Sequence, residues 1–192
     1  VEAFFLQYTI LEIPFEIISS FLFAILMVLA VGLPRNASMF FIEVLNVFCL
    51  ISCGESLGIM FSTLFSHPDL TLNATAVLTS IALIMAGVIS LNVHPFLQAF
   101  NHLNPTKWAV RNLASYILRG QTFTCNDSQR LSNETCPINT GQEVLELYNL
   151  DANPAMNLAA LVICVAAYRL VAYFLLKAVR TQWKDILGRK RN

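Results

Sequence analysis

Residues 70–106 run for 37 positions without one Asp, Glu, Lys or Arg, well beyond the roughly 20 residues an α-helix needs to cross the hydrocarbon core of a bilayer. The front of this run, 70–91, suits one crossing, which leaves 92–106 uncharged and still at membrane depth. That remainder reads Asn92-Val93-His94-Pro95-Phe96 and then Asn104-Pro105-Thr106, ahead of Lys107. Each proline biases the residue before it away from the α region, so 92–106 is expected as a re-entrant stretch of short broken segments. Irregular backbone at that depth persists only where protein or a water-filled cavity supplies its hydrogen-bond partners.

The rest of the chain is under the same pressure. With 56% hydrophobic and 12% charged residues over 192 positions, a soluble globular domain is excluded and an all-α, polytopic integral membrane protein is expected. Three further apolar stretches reach spanning length: 12–33, closed by Pro34-Arg35-Asn36; 39–65, interrupted by Glu43 and Glu55; and 155–176, led in by Asn153-Pro154 and carrying Arg169. Asp69 or Thr71 is the expected cap of the third span. The formal net charge is zero, which gives no reason to expect a nucleic-acid partner. Its distribution is informative, because seven of the twelve Lys and Arg fall at or after Arg169. A basic tail, 177–192, marks the cytosolic side, and counting crossings puts the polar loop 121–151 outside. That loop carries two glycosylation sequons, Asn126-Asp127-Ser128 and Asn133-Glu134-Thr135. It also carries Cys125 and Cys136, on the oxidising side where a disulfide persists; one bridge would close the loop, within the chain or between subunits. Asn36-Ala37-Ser38 lies outside but close to the membrane, and Asn73-Ala74-Thr75 falls on the cytosolic side, where it stays unmodified. Cys49, Cys53 and Cys164 read as small apolar packing residues within spans. The start, Val1-Glu2-Ala3, has neither an initiator Met nor a basic leader, and the chain reads as a segment of a longer protein.

Taken in order, these parts resemble the transmembrane domain of G-subfamily ABC transporters, the White and pleiotropic-drug-resistance type exporters. The parts are the Glu12-Ile13-Pro14 entry, two spans with a tight outer turn, and a third span ending in Gly87-Val88-Ile89. A re-entrant stretch with Asn104-Pro105, a Cys-bearing outer loop and a last span with a basic tail follow. The resemblance implies that residues 1–192 are a partial ABC-2 type transmembrane domain holding the last four of six membrane helices. It implies a nucleotide-binding domain elsewhere in the polypeptide, with its ATP and Mg, and a second transmembrane domain, as a homodimer or a pseudo-dimer, closing a central cavity. No Gly-x-x-x-x-Gly-Lys-Ser/Thr phosphate loop occurs here, so nothing in this chain cradles ATP phosphates. No catalytic residue, metal or cofactor is therefore expected of the chain itself. The implied function is ATP-driven export of hydrophobic or amphipathic molecules (lipids, sterols or xenobiotics), with the plasma membrane as the implied location. The competing reading is a non-transporting or partner-dependent membrane scaffold.

Individual residues divide between the resemblance and simpler physics. By resemblance, Val88 and Ile89 form a hydrophobic valve, against a lipid-facing or packing role. Ala76, Ser80 and Leu83 share one helix face; by resemblance that face lines the substrate cavity, against ordinary helix packing. Glu2 and Glu12, with Glu16, fall on the cytosolic side and by resemblance contact the ATPase domain, whereas plain interfacial acids would look the same. From the residues alone, Glu55 is the costliest, since an ionised carboxylate deep in a span costs roughly 2.5 kcal/mol or more. At 1.5 Å per residue Glu55 lies ~24 Å down its span and Arg169 ~21 Å down the last one. They either pair or each reach the cytosolic interface. Gly54 and Gly58, beside Ser62, make a face that permits close approach of another helix. Lys107, Trp108, Arg111 and Arg119 suit a headgroup tether on the outer side. An intramembrane enzyme built from Glu55 with His94 or His102 is disfavoured, because these groups fall at opposite faces and metal ligation needs three or four convergent side chains.

Overall fold

The computed structural model describes residues 2–32, 36–86, 95–125 and 136–189. The described residues form α1 (Glu2–Val31), α2 (Ala37–Leu64), α3 (Pro68–Met85), α4 (Pro95–Asn101), α5 (Pro105–Leu118), α6 (Gly141–Leu147) and α7 (Pro154–Arg189). They hold no strand, only an isolated antiparallel bridge between Thr122 and Thr140. Four helices are long and apolar enough to cross a membrane: Phe5–Ala30, Ala37–Leu64, Pro68–Met85 and Pro154–Thr181. The fold is all-α and polytopic.

Helix boundaries differ from the sequence expectation where a breaker failed to break. Pro14 lies inside α1, so Glu12-Ile13-Pro14 is not the start of the helix, which already begins at Glu2. A proline there removes the hydrogen bond to the Ile10 carbonyl, an interruption that membrane helices tolerate when neighbours compensate. At α3 the cap is His67, with no side-chain bond, and Pro68 opens the first turn; neither Asp69 nor Thr71 caps it. Proline suits that position because its missing N–H has no helical partner there anyway. The α3 helix ends at Met85 with Ala86 as its cap, about 27 Å of helix, and residues 87–94 lie outside the described residues. As far as Arg189, the last described residue, the basic tail is a direct continuation of α7, which no proline interrupts after Pro154.

Helix α2 sits at the centre, packed against α7, α1, α5 and α3. Its first turn is capped by Asn36, whose side chain accepts from Ser38 N at 3.2 Å. Lipid tails are as apolar as Leu, so burial of oily side chains does not drive these helices together; close packing and interhelical hydrogen bonds do. The buried apolar cluster is accordingly small: Cys49 of α2, Ala109 of α5 and Leu161 of α7, flanked by Phe48, Leu50, Trp108 and Val165. Large apolar side chains such as Phe15, Leu22, Leu26 and Leu29 of α1 point outward instead. One turn from that cluster, toward the end of the bundle carrying the 119–153 connection, Asn46, Asn112 and Asn157 are buried together with Glu43 of α2. Asn112 Nδ2 donates to Asn46 Oδ1 at 3.0 Å.

The break between α4 and α5 is held by side chains. Asn101 Nδ2 donates to the Met85 carbonyl at 2.6 Å. Asn104 Nδ2 donates to the Ala82 carbonyl at 2.8 Å and to Asn101 Oδ1 at 3.0 Å, while its Oδ1 caps α5 by accepting from Thr106 N at 3.1 Å. Two of the carbonyls orphaned at the α3 terminus are thereby satisfied. The carbonyls of the break itself are met as well, His102 by Trp108 Nε1 at 2.9 Å and Leu103 by the Tyr168 hydroxyl at 3.2 Å.

The basic residues of α5 and of its end make contacts within the protein. Lys107 is buried with its ammonium 5.2 Å from the Trp108 ring centroid. Arg111 Nη2 donates to the Asn149 carbonyl at 3.0 Å, and Arg119 pairs with Asp151 at 3.1 Å. These contacts pin the segment after α6 onto α5.

Candidate functional site

Three helices converge on Arg169 of α7. Its Nη2 lies 2.9 Å from Glu55 Oε2 of α2 and 2.9 Å from Glu16 Oε1 of α1. Nη2 and Nε also donate to Ser52 Oγ at 3.0 and 3.3 Å. Glu55 and Arg169, matched by depth in the sequence, are brought together. Glu16 is the partner that sequence reasoning missed: its side chain is 1% exposed, against 14% for Arg169 and 18% for Glu55. It is not an interfacial acid. Counted from the outer end of α1 at Val31, Glu16 lies about 22 Å down the helix, close to the depth of Glu55 and Arg169 in theirs, which is the signal that could have found it. Ser52 stands one turn before Glu55 and is buried.

Two carboxylates therefore meet one guanidinium. Both accept from the same nitrogen, so the two oxygens are within twice a hydrogen-bond length of each other. Ion pairs taken out of water are maintained only when geometry and further hydrogen bonds offset desolvation; Ser52 supplies one such bond. Glu16 Oε2 and Arg169 Nη1 remain buried without a partner.

A cavity of about 560 Å³ opens beside this cluster, between α1, α2 and α7, lined by Phe5, Tyr8, Glu55, Gly58, Ile59 and Leu176 among others. A second, of about 490 Å³, lies between α2, α3, the α4–α5 break and Tyr168 of α7, with Gly54 and Leu83 in its wall. Gly54 and Gly58, on the face that permits close approach of another helix, line these cavities within the chain. A Cβ added at Gly54 or Gly58 would meet nothing within 4 Å.

The remaining expected sites are placed as follows. Ala76, Ser80 and Leu83 are exposed on α3, a helix with no buried residue; Leu83 borders the second cavity, and the Ser80 hydroxyl donates to the Ala76 carbonyl at 2.8 Å. Glu2 accepts from the Tyr173 hydroxyl at 3.1 Å and Lys177 Nζ at 3.4 Å, bonds that hold its carboxyl below the usual range. Glu12 sits one turn before Glu16 and engages the Tyr8 hydroxyl. Cys125 and Cys136 are joined, with Cα atoms 5.9 Å apart. Val88, Ile89, Asn126 and Asn133 lie outside the described residues. Among the described residues no group of three His, Cys, Asp or Glu is arranged for a metal.

The ABC-2 type transporter family model matches residues 1–118, which cover α1 to α5 and therefore both carboxylates of the cluster and the α4–α5 break. This chain belongs to the ABC-2 type transporter family. The ABC-2 membrane domain is also 38% identical, over 181 residues, to an uncharacterized ABC transporter ATP-binding protein/permease of Saccharomyces cerevisiae. The match covers 94% of this chain and 14% of the yeast protein, so the chain spans about a seventh of that relative. The alignment with the yeast protein covers 94% of this chain and so extends beyond the family match over α7 and Arg169; the chain is an ABC-2 membrane domain, integral to the membrane.

Proposed function

We propose that this ABC-2 membrane domain is the C-terminal four-helix part of a G-subfamily type transmembrane domain and forms half of the substrate path of an ATP-driven exporter. Its substrates are hydrophobic or amphipathic molecules such as lipids, sterols or xenobiotics. ATP and Mg are bound and hydrolysed by the nucleotide-binding domain of the same transporter, which the α1 start, with Glu2 and Glu12, contacts. A second transmembrane domain faces the open side of α3 across a central cavity. Val88 and Ile89, following α3, close that cavity toward the outside. The α7 tail is cytosolic and the 121–151 loop extracellular, at the plasma membrane, with Asn126 and Asn133 glycosylated and the Cys125–Cys136 bridge closing the loop.

The observation that carries this reading is α3 itself. It is a spanning helix without one buried residue, contacted chiefly by α2 and α5, and its exposed residues include Ala76 and Ser80, with Leu83 at the edge toward the second cavity. An apolar wall of this kind suits hydrophobic ligands. The experiment is a tryptophan substitution at Ser80 in the full-length transporter, reading ATP hydrolysis stimulated by a panel of sterols and planar hydrophobic dyes. Ser80→Trp abolishes stimulation while basal hydrolysis remains. Unchanged stimulation by every active compound would remove α3 from the substrate path.

A further inference from the structure

The cavity between α1, α2 and α7 is chemically unlike the open α3 face. Its walls are mostly apolar, with Ile59 and Leu176 among them, and include Glu55 of the ion cluster. Its other lining residues, Phe5, Thr63 and Val179, stand at the end of the bundle where α1 begins and α2 ends, so the cavity runs from that end of the membrane inward to the ion cluster. At about 560 Å³ it falls within the roughly 300–1,000 Å³ of small-molecule sites.

Charge decides what such a cavity accepts. Glu16 and Glu55 oppose one cation, Arg169, and Glu12 adds a third carboxylate one turn away on α1. The next cation along α7, Lys177, is engaged with Glu2 and Tyr173, and its ammonium lies 5.6 Å from the Tyr173 ring centroid. Acidic side chains thus outnumber the guanidinium in a desolvated place, and an incoming cation can replace a proton that two adjacent carboxyl groups share. A second observation points the same way: Glu16 Oε2, on a side chain 1% exposed, is buried without a hydrogen-bond donor. The bonds from Arg169 to Glu55 go to Oε2 alone, which leaves Oε1 of the residue that lines the cavity free of that cation. A buried carboxylate with fewer cations than anions around it favours an incoming positive charge.

We infer that this cavity binds an amphiphile with a single cationic head, a protonated amine or quaternary ammonium that docks on Glu55, with its apolar tail along Phe5, Ile59, Leu176 and Val179. A zwitterionic or anionic phospholipid headgroup is disfavoured, because its phosphate would meet the same negative cluster. The site lies within one four-helix unit, does not involve the α3 face, and stands whether or not the exporter reading holds.

The test uses the full-length protein in nanodiscs, with thermal unfolding followed as dodecyltrimethylammonium is titrated and dodecanol as the uncharged control. The wild type is stabilised by the ammonium probe and not by dodecanol. Two variants act on different parts of the site. Glu55→Gln removes the charge while leaving the Glu16–Arg169 pair, and Gly58→Leu fills the space that a Cβ at Gly58 would enter without contact while leaving every charge in place. Each weakens the apparent affinity by about tenfold or more, as expected for losing one charge-assisted contact or its room. Equal stabilisation by dodecanol would overturn the assignment, since any tail would then suffice. A Gly58→Leu protein that unfolds like the wild type and keeps the full ammonium response would overturn it too, even if Glu55→Gln failed to fold.

Discussion

Replacing Arg169 by Leu leaves two carboxylates facing each other where three helices meet. Arg169 makes four hydrogen bonds of 2.9–3.3 Å to Glu16, Glu55 and Ser52, and the side chains of the three charged partners are 1–18% exposed. Solvent screening therefore recovers little of the lost interaction. Breaking a buried pair by removing one partner costs about 3–5 kcal/mol, because an uncompensated charge is left behind; here two are left, so Arg169→Leu is expected at the upper end of that range. The triple variant Arg169→Leu, Glu16→Gln, Glu55→Gln removes the charges together and should recover most of the loss, since replacing a whole buried ionic group is often close to neutral. Glu55→Gln alone leaves a one-to-one Glu16–Arg169 pair and should cost about 1 kcal/mol, the net worth of a typical hydrogen bond. The assay is thermal unfolding of the purified full-length protein, alongside its level at the cell surface. An Arg169→Leu protein within about 0.5 kcal/mol of wild type, the range of an inconsequential surface change, would refute the reasoning. So would a triple variant less stable than the single one.

Three further outcomes follow from local geometry. Asn104→Ala removes the cap of α5 and the donor to the Ala82 carbonyl, and should cost about 1–3 kcal/mol while making cysteines placed at 102 or 103 reactive to a water-soluble maleimide; unchanged labelling would count against the bracing of the break. Gly141→Ala drives a methyl group into the Leu118 carbonyl, and overpacking of this kind costs about 1–3 kcal/mol, read as lost surface expression; a fully expressed, equally stable variant would contradict the close approach of α6 to α5. Burial, with Arg111 nearby, pushes the Lys107 ammonium below its ordinary pKa. The unfolded chain then holds the proton more tightly, so this residue opposes folding at neutral pH and the opposition fades as pH rises from its folded pKa toward 10.5. Lys107→Met should accordingly raise the unfolding temperature at pH 7 and lose that advantage above pH 10.5, and a variant less stable at pH 7 would reverse the sign.

How much of this was legible in the sequence depends on which physics was at work. Lipid demands unbroken apolar length, so the four long helices show in the hydropathy of the chain, and two prolines in an uncharged run show the break near Asn104. Depth counting matched Glu55 to Arg169 because both helices start from recognisable turns. Glu16 was within reach of the same count from the outer turn, but its place beside Pro14 at the cytosolic end made it read as an interfacial acid; α1 runs through that proline, and the side-chain contact with Arg169 of α7 is what shows Glu16 as buried. Gly54 and Gly58 were ambiguous for a related reason. Small residues permit close approach without requiring it, and here they leave space. Asn101 and Asn104 read as turn formers, and their bonds to α3 depend on a chain reversal that no local pattern encodes.

The central claim is that this ABC-2 membrane domain is half of a path for ATP-driven export of hydrophobic molecules. The most direct measurement is uptake of a fluorescent sterol or hydrophobic dye into inverted membrane vesicles carrying the full-length protein, with and without ATP, compared between wild type and Leu83→Trp, which narrows the open face of α3. The account predicts ATP-dependent accumulation in wild-type vesicles and its loss in the variant at equal protein level. No ATP-dependent accumulation of any probe, with the protein folded and its nucleotide-binding domain hydrolysing ATP, would contradict it.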